Sequence, residues 1–147
     1  VFVALVSLVN LMVGGFWLFG DPVSVERVLG WLFMPVAWLT GVSWADAGEA
    51  GRLLGVKLTL TEFVAFIELG KVPPEAISER TRMLMTYALC GFANIGSVGI
   101  TVTGLSVLMP ERRTEVLGMV WKALAAGFMA TLMTASVVGL MPSAVFG

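Results

Sequence analysis

Residues Ser43–Leu69, SWADAGEAGRLLGVKLTLTEFVAFIEL, carry the pattern on which the fold turns. Two apolar arms of about 8–15 residues flank a polar knot at Thr59, Leu60, Thr61 and Glu62, whereas a bilayer crossing takes about 20 residues. Neither arm can cross alone. Short arms meeting at a polar tip predict a re-entrant helical hairpin over 43–69, because irregular backbone at membrane depth survives only where it is buried in protein or lines a cavity.

The surrounding sequence supports a membrane setting. The chain has 147 residues, of which 58% are hydrophobic and 13% charged, and its mean hydropathy is +0.94. Soluble domains carry roughly 45–50% apolar and about 25% charged residues. Charge-free runs cover Val1–Gly20, Val28–Ala45, Met83–Pro110 and Ala123–Gly147, and at least three of these are long enough to cross a bilayer. A net charge of −1 leaves no basic face for nucleic acid, and the absence of histidine excludes His-dependent metal sites and Ser-His-Asp chemistry. The lone cysteine, Cys90, cannot form an intrachain disulfide and reads as a packing residue.

On the N-terminal side, residues 1–19 read as a spanning helix in which Asn10 is the only strongly polar side chain, and Gly20, Asp21 and Pro22 break it. Residues 25–41 are too short before Thr40 and Gly41 for a comfortable span. With Trp31 and Trp38 seven apart on one face, they read as an interfacial helix kinked at Pro35.

Towards the C-terminus, residues 83–110 form a charge-free stretch dense in glycine: Gly91, Gly96, Gly99 and Gly104. That density predicts a broken spanning helix with an unwound centre. Residues 114–141 supply the final span, with Gly127, Ala130, Thr131 and Thr134 making a face small enough for close packing. Arg112 and Arg113 in the tight loop between the two read as topology signals on the cytoplasmic side. The fold class is therefore all-α integral membrane: spanning helices plus an interfacial helix, a re-entrant hairpin and a broken helix. Residue 1 is Val, and the first apolar run starts there without the charged n-region of a signal peptide. Since a three-span bundle seldom encloses a solute pathway, the expectation is one domain that is a fragment of a larger transporter.

Glu62 is the outstanding candidate for chemistry. It is the only acid between Leu58 and Ile67, and an acid at bilayer centre costs about 2.5–3.5 kcal/mol on translocon scales. Either it serves a polar solute or a coupled cation, or it pairs with Lys57 or sits shallow enough to be wet. Asn94 and Ser97, three apart, would lie about 60° apart on a helix and offer an amide and a hydroxyl to one ligand. Interhelical hydrogen bonding explains the same pair equally well. Phe92 could stack on a planar ring beside them, though alone it reads as packing.

Several of these residues match a known pattern in order and spacing. Gly55-Val56-Lys57-x3-Thr61-Glu62-Phe63-Val64-Ala65-Phe66 resembles the G-x-K-x3-N-E-F-V-A signature of the concentrative nucleoside transporters. The block Gly91-Phe92-Ala93-Asn94-Ile95-Gly96-Ser97, with Pro110-Glu111-Arg112-Arg113 behind it, resembles that family's next conserved segment, and the stretch from Gly30 to Leu39 extends the resemblance over most of the chain.

The resemblance implies the C-terminal half, or second inverted repeat, of an ion-coupled nucleoside symporter working by alternating access. The implied protein is homotrimeric and multi-pass in the inner or plasma membrane. Its substrate contacts would be Glu62, Asn94, Ser97 and Phe92, and Thr61 would stand at the hairpin tip where the family has Asn. Ligands for the coupling Na+ or H+ would belong to the missing N-terminal half, with none in this chain. A reading from another class is a small membrane scaffold or accessory subunit in which the same polar residues are structural. Neither reading is of an enzyme: an intramembrane hydrolase would need a nucleophile and base that are not matched here.

Overall fold

A computed structural model describes residues 2–13, 17–18, 21–22 and 25–141. The helices are α1 (Phe2–Val13), α2 (Val25–Leu39), α3 (Ala47–Thr59), α4 (Glu62–Lys71), α5 (Glu79–Leu89), α6 (Ile95–Leu108) and α7 (Arg113–Gly139). A 3-10 turn, Pro110–Arg112, leads into α7. The only sheet pairing among the described residues is a two-residue antiparallel match of Trp17–Leu18 with Asp21–Pro22.

The central element is α3, which packs on α2, α4, α5 and α6. Its crossing with α2 depends on Gly51, where a Cβ would run into the backbone of Gly30 and Met34. Leu53 and Leu54 of α3 and Leu84, Met85 and Leu89 of α5 are fully buried, and Phe128 of α7 meets Phe33 of α2 with ring centroids 5.2 Å apart.

Local chemistry sets the helix ends. The amide of Leu60 closes α3 on Val56 O at 2.8 Å, and Thr61 then caps α4, its Oγ1 accepting from the Val64 amide at 3.3 Å. The turn between the arms is therefore only Leu60 and Thr61. At the open end of this helix pair, Arg52 bridges Glu49 (2.8 Å) and Glu68 (3.4 Å). Arg82 donates to the carbonyls of Leu69 and Val72 just beyond, supplying partners for the C-terminal end of α4.

Asp46, immediately before α3, makes no capping bond to that helix. It accepts instead from Ser78 N, Ser78 Oγ and Thr81 Oγ1, joining the start of α3 to the start of α5. Burial works against its ionisation, but the bonds from Thr81 and Ser78 outweigh that and hold the carboxyl below its ordinary range.

Several expectations need correction. Of the helix expected over residues 1–19, the described helical part is Phe2–Val13; Trp17 and Leu18 pair with Asp21 and Pro22 instead, and the rest of the expected span lies outside the described residues. Among the described residues one helical stretch, Pro110–Gly139, is long and apolar enough to cross a membrane, against the three or more that counting charge-free runs suggested. Charge-free length is not helix length, because turns interrupt the runs. The break expected at the centre of residues 83–110 lies near its beginning, at residues 90–94, and Gly96, Gly99 and Gly104 are helical. The helix leading into it starts at Glu79, where Ser78 caps it. Cys90, expected inside the packing, is exposed at the end of α5.

Much of the described outer surface is apolar. Only 6% of the hydrophobic window of α7 is buried, and Met119, Trp121, Met129 and Met133 all face outward. Large apolar side chains in that arrangement suit a surrounding of lipid or protein rather than water.

Candidate functional site

Four helix ends meet at the tip of the α3–α4 pair. The carbonyl ends of α3 and α5 and the amide ends of α4 and α6 converge there, because the turn at Leu60 and Thr61 lies beside the break at residues 90–94. Glu62 opens α4, and Asn94 caps α6. The Asn94 Nδ2 amide donates to Glu62 Oε2 at 3.1 Å. A carboxylate at a helix N-terminus gains from the local dipole. Glu62 therefore has a physical reason to be here, and Lys57 is not its hydrogen-bond partner: the lysine donates to Ala88 O and Thr131 Oγ1, each at 2.8 Å.

Asn94 is 1% exposed. Its Oδ1 accepts from the Ser97 amide at 2.7 Å, while Ser97 Oγ donates to Asn94 O at 2.6 Å and faces the Asn94 amide at 3.3 Å. Together these bonds form a capping box. The expectation that Asn94 and Ser97 share a helical face is therefore corrected. Asn94 has extended backbone (φ −139°, ψ 164°), and the two are neighbours because one caps the turn that contains the other. Spacing of three fits both arrangements, and the sequence signal that separates them is the asparagine immediately before an apolar helical run.

The site residues do not all lie in one cavity. Phe92, 66% exposed, and Ser97 line a cleft of about 180 Å³ between α6 and α7, along with Thr101, Val120 and Gly127. Ser97 thus stands between the Glu62–Asn94 pair and the cleft that Phe92 borders. Thr61 is bound up in capping α4. What the arrangement offers a ligand is definite. Glu62 Oε1 accepts no hydrogen bond among the described residues, and the carboxylate belongs to the first turn of α4, bonded through Oε2 to the cap of α6. The Ser97 hydroxyl has given its proton to Asn94 O, so it can only accept from anything else.

Sequence reasoning missed the residues behind this tip. Lys57 is completely buried, its ammonium 5.1 Å from the Phe128 ring centroid. Gly91 has no room for a side chain, since a Cβ would strike Thr131. Lys57 carries a sequence signal of its own beyond its place in the motif: a cation within an otherwise apolar arm is a site candidate in its own right and not only a partner for Glu62.

Comparison with known proteins bears on the whole arrangement. Residues 1–139 match the family model described as "Na+ dependent nucleoside transporter C-terminus". The chain is 43% identical over 141 residues to the uncharacterized transporter YutK of Bacillus subtilis (strain 168), covering 95% of this chain and 35% of the relative. It superposes on the structure of CNTnw in an inward-facing substrate-bound state with a TM-score of 0.83 at 43% identity, covering 95% of this chain and 35% of the other. On an outward-facing structure of a CNTnw variant the TM-score is 0.84 at 41% identity, with coverage of 99% and 37%. The chain spans about a third of the length of the proteins it matches.

Proposed function

This chain belongs to the family of Na+-dependent nucleoside transporters, as the C-terminal part, and on that premise we propose that it supplies the sugar-binding side of an ion-coupled nucleoside symporter. The carrying observation is the Glu62–Asn94 bond at the junction of two helix N-termini, which presents one free carboxylate oxygen. A ribose hydroxyl donates to Glu62 Oε1, the second Asn94 Nδ2 proton goes to a sugar oxygen, and Ser97 accepts from a neighbouring hydroxyl. Phe92 at the cleft edge faces the flat ring of the base. No covalent bond changes.

In this reading α3 and α4 form the re-entrant hairpin with Thr61 at its tip, α5 and α6 are the two halves of a broken span, α7 crosses the bilayer, and α2 lies in the interface. The coupling ion, Na+ or H+, is held by residues of the other part of the protein, which assembles as a trimer in the inner or plasma membrane. Alternating access draws support from the near-equal superposition on inward- and outward-facing relatives. A segment whose internal fold is alike in both states can serve either one without rearranging inside.

The test is Glu62→Gln in the full-length protein. The glutamine carbonyl can still meet Asn94, which leaves an amide donor facing the sugar hydroxyl. Uridine affinity is expected to fall about ten- to a hundredfold, the worth of a charge-assisted hydrogen bond, with the melting temperature little changed. Unchanged affinity with a lowered melting temperature would make Glu62 a structural contact of a membrane scaffold.

A further inference from the structure

The break between α5 and α6 is held at both of its ends by the same hairpin. At the far end, Glu62 accepts from Asn94. At the near end, Lys57 Nζ donates to Ala88 O, a carbonyl in the last turn of α5. Backbone bonds within the break close on Tyr87 and Leu89, so the lysine supplies a partner for a carbonyl that the end of the helix strands. The charges suit the helix polarity, with the anion at amide ends and the cation at a carbonyl end.

The ammonium also has a built seat. Thr131 Oγ1 accepts from it at 2.8 Å while donating to Phe128 O, the Phe128 ring lies 5.1 Å away, and Gly91 leaves the space open. A Cβ on Gly91 would stand 3.8 Å from Nζ. Lys57 is 0% exposed, and a buried charge persists only when it is paired and hydrogen-bonded.

We propose that Lys57 is a positioning residue for the nucleoside site: a built-in cation that fixes the carbonyl end of α5 against α3 and α7 and thereby sets where Asn94 meets Glu62. The proposal rests on the transport reading above. Lys57 touches no substrate, and its influence passes through residues 90–94.

The experiment uses the full-length protein in lipid nanodiscs, with two readouts. One is uridine affinity, and the other is amide hydrogen exchange over residues 90–97, which needs no nucleoside. Lys57→Met keeps the unbranched side chain to within one atom of its length and removes the charge. It is expected to weaken uridine binding at least about tenfold and to speed exchange across the break. Lys57→Ala leaves a vacancy shaped for propylammonium, which should restore binding and protection, whereas 1-propanol at the same concentration should not. Thr131→Val leaves the lysine in place and should weaken binding about fivefold.

Wild-type affinity and exchange in both Lys57→Met and Thr131→Val would overturn the proposal, as would equal rescue by propanol, which would make the side chain a filler of volume. A wild-type protein that binds no nucleoside, with exchange at residues 90–97 still dependent on Lys57, would overturn the transport reading and keep the lysine as the clamp of the break.

Discussion

Asn94 has more obligations than any other residue at the tip. It caps α6, completes a capping box with Ser97 and donates to Glu62. Its replacement therefore removes a helix cap, worth about 0.5–2 kcal/mol, together with the fixed orientation of the carboxylate. Ser97→Ala removes one arm of the box and an acceptor, and leaves the Asn94 cap on the Ser97 amide in place. If both side chains serve one sugar, the double change to alanine should reduce ribonucleoside affinity by less than the sum of the single changes, since residues sharing a ligand are coupled. With a deoxynucleoside lacking the contacted hydroxyl, the mutants should lie closer to wild type. Titration calorimetry with uridine and its 2′- and 3′-deoxy analogues reads both outcomes, and equal penalties for every analogue with strict additivity would leave the pair a helix cap alone.

At the scale of elements, the turn between α3 and α4 is legible because it is written in side-chain chemistry. A threonine followed by an acid and then an apolar run is a helix start, and Thr61 caps α4 as that pattern requires. The same logic accounts for the departure from the family's asparagine, since Asn and Thr are both N-cap residues. Thr61→Asn should change the melting temperature little, while Thr61→Ala should cost about 1 kcal/mol, measured by thermal unfolding of the full-length protein. The break after α5 was less legible, because glycine count says that a helix is weak without saying where it ends. The location follows from two things that composition does not carry, the Asn94 cap and the collision that a side chain at Gly91 would suffer against Thr131.

The junction of α3 with α5 rests on Asp46, whose carboxyl lies below its ordinary range in the folded protein. A lowered folded value means that the bonds to Ser78 and Thr81 add stability at every pH above the ordinary carboxylate range of about 3.9. That contribution fades as the pH falls through the folded value. Asp46→Asn keeps the shape but loses the charge, so its deficit in melting temperature should be full at neutral pH and shrink in acid below that range. Parallel melting curves for wild type and variant across the whole acid range would show that the carboxylate contributes nothing.

For the whole molecule, the apolar exterior and the incomplete site make one argument. A helix such as α7, with large apolar side chains exposed along its length, suits a surrounding of lipid or protein better than water. The Glu62–Asn94 pair offers hydrogen bonds from one side only. A nucleoside bound there would leave its other surface open, and translocation by alternating access needs a site closed in turn towards each side of the membrane. The proteins of this family that the chain matches are about three times its length or more, so the enclosing wall has ample chain from which to be built. Expressed alone, these 147 residues should enter the membrane fraction and resist alkaline extraction, because insertion needs only an apolar exterior. They should take up no uridine, because on the proposed reading the chain holds only part of the site and none of the ligands of the coupling ion. Saturable, ion-dependent uridine uptake into vesicles containing only this chain would show instead that the four helix ends at residues 57–62 and 88–97 form a complete pathway by themselves or through copies of themselves.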